Sequence, residues 1–129
     1  MSNQSTTILL IEGDSTLLEI TAFRLELLGY NVVSFESAEK GLEWLAAQLP
    51  GLVIVDHVLP GMDGVEFINR LSNDTRTSNV PIMFLSTNAD LEDVQKAYNA
   101  GADEYLVIPY DPMVLEAKVE RLTSAVAAS

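Results

Sequence analysis

At 129 residues with 48% hydrophobic content, the chain is sized for one domain around one core. Its formal charge of -12, from 7 basic and 19 acidic residues, argues against nucleic-acid phosphate as a direct partner. The lack of cysteine excludes disulfides and thiolate metal sites, and no apolar run nears the roughly 20 residues of a membrane span.

The opening segment MSNQSTT carries neither the basic nor the apolar region of a signal peptide, so a cytoplasmic location is the default expectation. A first strand is predicted over 7–12 (TILLIE). Asp14 and Ser15 then cap a first helix that Gly29 stops. The run NVVSF (31–35) reads as a second strand. Ser37 starts a second helix, with Trp44 and Leu45 on its core stripe, that Pro50 and Gly51 close. A third strand over 51–57 (GLVIVDH) leads through LPGMDG into a helix from Gly64, VEFINRL. A fourth strand over 80–86 (VPIMFLS) precedes a helix from Asp90 to Gly101, with Asp93 placed near a capping pattern. A fifth strand over 104–108 (EYLVI) is followed by a helix opened by Asp111 and Pro112.

Five β-α units with strands too apolar to keep one face wet predict an α/β fold, a doubly wound parallel sheet covered on both sides. The expected boundaries are a frayed terminus at 1–6, one domain over 7–124 and a tail at 125–129. In such a sheet ligands sit beyond the carboxyl ends of the strands, at the topological switch point. There the sequence places Glu12 and Asp14, Asp56, Ser86 and Ile108. Asp56 is the informative one, because a carboxylate closing LVIV must be partly desolvated. His57, one residue on, points to the opposite face of its strand and reads as a packed or surface side chain.

The segments LVIVDHVLPGMDG, FLST and AGADEYLVIP, in this order and spacing, resemble the receiver domain of bacterial response regulators over residues 7 to 122. The resemblance implies a flavodoxin-like five-stranded sheet of order 2-1-3-4-5 and places this chain in two-component signal transduction, as a binding module and not an enzyme. It further implies that Asp56 accepts a phosphoryl group from a histidine kinase, that Ser86 contacts that group, and that Tyr105 is the aromatic switch residue. Tyr98 lies in the neighbourhood where receivers meet partners. Mg²⁺ would be held by Glu12, Asp56 and the backbone carbonyl of Val58.

Two positions depart from the family pattern. Gly13 occupies the place of a direct metal-binding acid, and Ile108 the place of the lysine before proline. Losing both leaves the pocket's total charge unchanged, but it removes one metal ligand and the donor that stabilises developing charge. The expectation is an atypical, stand-alone pseudo-receiver with weak Mg²⁺ binding that works through contacts with a histidine kinase or a downstream effector; a homodimer is also compatible. One alternative is a receiver still phosphorylated at Asp56 with weakened metal dependence. A more distant one is a haloacid-dehalogenase-like phosphatase, which needs a second Asp where Val58 stands. The Ile108–Pro109 bond is expected to be cis if the family geometry at the end of strand five holds.

In the first helix Leu17, Ile20, Thr21, Leu25 and Leu28 are assigned to one buried face. Phe23 and Leu27 are left on the other, where a pair of large apolar residues suggests a contact surface.

Overall fold

In the computed structural model, which describes residues 6–128 and side chains through Ser124, strands and helices alternate throughout. They run β1 (Thr7–Ile11), α1 (Ser15–Leu27), β2 (Asn31–Phe35), α2 (Ala38–Leu45), β3 (Leu52–Asp56), α3 (Gly64–Ser72), β4 (Ile82–Ser86), α4 (Leu91–Ala100), β5 (Glu104–Val107) and α5 (Pro112–Ala128). The five strands form one parallel sheet of order β2-β1-β3-β4-β5, as expected. The order reverses between β1 and β3, so their carboxyl ends, at Glu12 and Asp56, flank the switch point.

Alternation along the strands divides the core in two. Leu9, Ile11, Val53, Val55 and Phe84 pack against Leu45, Phe67, Ile68 and Ala97 of α2, α3 and α4. Ile8, Leu10, Ile54, Met83 and Leu85 pack on the opposite side against Leu25 of α1 and Leu115 and Val119 of α5. Every side chain of β3 and β4 is buried, which explains why their sequences read as unbroken apolar runs.

Local chemistry sets most element ends. Asp14 Oδ1 accepts from the Thr16 and Leu17 amides, at 2.9 and 3.2 Å, and so caps α1. Ser37 caps α2 and Asp63 caps α3 in the same manner. Gly64 is demanded by space, since a Cβ there would lie 2.2 Å from the Asp56 carbonyl oxygen. The LPGMDG turn can therefore fold α3 back onto the end of β3 only with glycine at this position.

Three expectations are corrected. The second helix ends at Leu45 rather than running to Pro50; the Arg76 guanidinium donates to the carbonyl of Leu45 at its end and to that of Gln48 in the loop beyond. Asp90 occupies the N-cap position of α4 without a side-chain cap; Asp93 instead accepts from the Asn88 side chain. On α1, Ile20 and Leu28 face solvent, and the buried positions are Thr21 and Leu25 with Leu18 and Ala22 packed alongside. The helix is apolar on both faces, and its rotation is set by the sheet and by a 2.6 Å hydrogen bond between the Thr21 and Tyr110 hydroxyls. Helix α5 continues as helical backbone to Ala128, in keeping with its alanine-rich end. The terminus expected to fray lies, except for Thr6, outside the described residues.

Candidate functional site

The site is assembled at the carboxyl edge of the sheet from loops that the core holds in place. Asp56 is the last residue of β3 and is buried. The turn that follows is fastened at both ends: the Gly64 amide donates to the His57 carbonyl at 2.9 Å, and the Met62 amide donates to Glu39 Oε2 at 2.8 Å. Glu39 thus ties α2 to the turn after Asp56, a role its position in the sequence does not announce. The His57 ring is tilted against Phe84, with centroids 5.4 Å apart, and the residue also borders the cavity over Asp56.

Glu12 follows β1 and is only 1% exposed. Its Oε2 accepts from the Asp14 amide at 3.1 Å, whereas its Oε1 is buried with no hydrogen-bond partner. Its carboxyl is pushed from the ordinary 4.5 up to about 8. Burial is the main cause, followed by the neighbouring Asp56 carboxyl and the negative charge of Asp14; the Asp14 amide pulls the other way.

Around this pair opens a cavity of about 420 Å³. Thr16, Leu17 and Ile20 of α1, His57, Val58, Thr87, Ile108 and Pro109 line it as well. Ile108 is 8% exposed and belongs to the apolar cluster on the α1 and α5 side of the sheet. Among the described residues no lysine or arginine lines the cavity. The Ile108–Pro109 bond is cis, as expected. Gly13 lies against the turn: a Cβ at this position would meet the Val58 carbonyl oxygen at 3.3 Å.

Of the expected site residues, Glu12, Asp56, Val58 and Ile108 converge on the cavity. Ser86 is buried at the end of β4, where its hydroxyl accepts from the Asn88 amide at 3.0 Å. The neighbouring Thr87 brings a hydroxyl residue to the cavity wall, as Thr16 does from α1, although FLST presents Ser86 and Thr87 alike. Tyr105 is turned inward, its hydroxyl donating to the Asn88 carbonyl at 2.7 Å and its ring packed on Phe84. One backbone segment thus engages both Ser86 and Tyr105 through Asn88. Tyr98 is exposed on α4, and Phe23 and Leu27 are exposed on α1.

The chain matches the response regulator receiver domain family over residues 8–120. It belongs to that family. It is 37% identical to the transcriptional regulatory protein CseB of Streptomyces coelicolor over 114 residues, covering 88% of this chain and 47% of CseB. It is 30% identical to the phosphate regulon transcriptional regulatory protein PhoB of Escherichia coli over 113 residues, covering 88% and 49%. The chain thus spans about half the length of the curated relatives it matches. A putative response regulator from Chloroflexus aurantiacus superposes with a TM-score of 0.88 at 30% identity, covering 92% of this receiver and 98% of that chain. Membership in the family sets aside the dehalogenase-like alternative. Among the described residues no helix is long and apolar enough to cross a membrane.

Receiver domains generally bind Mg²⁺ at the phosphorylation site. In this receiver the donor set fits that ion poorly. Mg²⁺ demands near-octahedral oxygen coordination and charged, accessible ligands. Among the described residues no group of three or more acidic or histidine side chains could hold a metal. Glu12 is buried, and Asp14 is engaged in capping α1. Gly13 contributes no ligand at all.

Proposed function

We propose that this receiver is an atypical one, in which phosphoryl transfer to Asp56 is impaired and signalling runs through contacts with other proteins. The observation that carries this reading is Ile108. It places a buried aliphatic side chain in the wall of the Asp56 cavity, where among the described residues no lysine or arginine is present to stabilise charge on a transferring phosphoryl group. The poor donor set for Mg²⁺ supports the same reading, as does the absence of a side chain at Gly13. The partners are signalling proteins, a histidine kinase or a downstream effector. Their contact surfaces are the exposed apolar residues Phe23 and Leu27 of α1 and the region of Tyr98 and Tyr105.

Intact mass after incubation with acetyl phosphate and Mg²⁺ tests the proposal. The native chain is expected to show no more phosphoryl adduct than Asp56→Asn. Stoichiometric modification of the native chain that Asp56→Asn abolishes would return it to the phosphorylated receivers, with Glu12 serving as the metal ligand.

A further inference from the structure

The cavity over Asp56 has two kinds of lining that call for one kind of ligand. Its floor carries Glu12 and Asp56, and Asp14 stands at its rim. Its walls are mostly aliphatic, with Leu17, Ile20 and Ile108, and also carry Thr16, His57 and Thr87. Glu12 Oε1 is buried without a donor, which is costly until a donor arrives. A hydrated divalent ion would use the floor and leave the walls bare. A neutral apolar molecule would use the walls and leave Glu12 unpaired. A positively charged hydrogen-bond donor at the end of an aliphatic stem uses both, and a lysine side chain has that construction.

The cavity is continuous with an exposed apolar strip. Ile20 is shared between its wall and a neighbouring groove along α1 that includes Phe23, and Leu27 follows one turn later. These three side chains are 49%, 60% and 70% exposed. A free amine would fill the cavity and leave the strip in water, whereas a polypeptide covers both. The chain's formal charge of -12 favours a basic visitor.

We propose that the Asp56 cavity receives a lysine or arginine side chain of a partner protein whose apolar surface covers the Ile20–Phe23–Leu27 strip of α1. The inference rests on the shape and lining of the cavity, and holds whether or not Asp56 accepts phosphate.

The test follows backbone amide resonances of the full chain during titration with Nα-acetyl-lysine N-methylamide. Saturable shifts are expected at Gly13, Asp14, Thr87 and Ile108. Nα-acetyl-norleucine N-methylamide, which has the same stem without the ammonium, should bind at least about tenfold more weakly. Ile108→Lys, which supplies an ammonium to the cavity from its own wall, should weaken binding by about tenfold or more, while Ile108→Met retains it. If Ile108→Lys lacks native amide dispersion, Asp56→Asn takes its place with the same loss expected. Equal binding of the norleucine compound overturns the proposal, as does undiminished binding to the folded variant used. Binding of n-butylammonium without binding of the capped lysine overturns it too, and assigns the cavity to a free amine.

Discussion

Gly13 stands so close to the turn after β3 that a Cβ on it would come within 3.3 Å of the Val58 carbonyl oxygen. That is tighter than an ordinary van der Waals contact, so any side chain at 13 must move the turn by a few tenths of an ångström. The turn can give there, because Val58 itself is exposed. Gly13→Ala is therefore expected to cost about 1 kcal/mol or less, within the range of mild single substitutions. Urea unfolding followed by fluorescence of Trp44, the sole tryptophan and partly buried against the core, measures it. A loss of several kcal/mol would show that the turn is rigid and that Gly13 is fixed by packing alone.

The architecture was legible because β3 and β4 are buried throughout and must be written in apolar residues, and because Asp56 interrupts that run where the sheet ends. The phase of α1 was not legible. Ile20 and Leu25 look equivalent in a periodic pattern, yet Leu25 is buried and Ile20 half-exposed, since apolar residues occupy both faces and only docking to the sheet chooses between them. The early end of α2 is met by Arg76, which lies 31 residues beyond Leu45 in sequence. Glu12 as a first acid was plain from its position, but its isolation from solvent and its closeness to Asp56 are tertiary facts.

The Glu12 carboxyl should make stability fall with rising pH. Its pKa is higher in the fold, about 8, than the ordinary 4.5 it takes when unfolded. Its contribution is therefore fully present below the ordinary value and is lost as pH climbs through the folded value. One such group gives a slope of at most about 1.4 kcal/mol per pH unit within that window. Glu12→Gln keeps the shape, adds a donor toward Asp56 and cannot ionise, so it should flatten the slope and be the more stable protein at the alkaline end. Urea midpoints across the window decide it. A native chain whose stability rises with pH there would mean that Glu12 is ionised in the fold.

Glu104 anchors β5 to α5 through two cations. Its carboxylate accepts from Lys118 Nζ at 2.7 Å and pairs with Arg121. The acid is buried, whereas the Arg121 side chain is largely exposed. Removing Arg121 leaves Lys118 in place, so Arg121→Ala should cost less than about 1 kcal/mol. Glu104→Ala removes the shared partner and leaves a half-buried ammonium, and should cost about 2–3 kcal/mol. Equal costs in urea unfolding would show that the pair does not act as a unit.

The strongest prediction concerns Gly13 and Ile108 together. Gly13→Asp places a third acid beside Glu12 and Asp56; it should raise Mg²⁺ affinity, because a cation then offsets the mutual repulsion. By itself it supplies no donor to a transferring phosphoryl group. Ile108→Lys supplies that donor from the cavity wall but adds no ligand for the metal, so phosphorylation of Asp56 by acetyl phosphate should stay slow. In the double variant both groups act on the same developing charge, and the rate should exceed the product of the two single effects. A coupling of about 1 kcal/mol or more, roughly fivefold in rate, is expected for groups sharing one site. The comparison requires all four proteins to keep native amide dispersion, since Ile108 lies in the apolar cluster of α1 and α5 and a lysine must reach out of it to the cavity. Rates measured by intact mass at saturating Mg²⁺ give the cycle directly. Native protein phosphorylated as fast as the double variant would rule out the impairment assigned to these two positions, and would make Glu12 the residue that serves the metal.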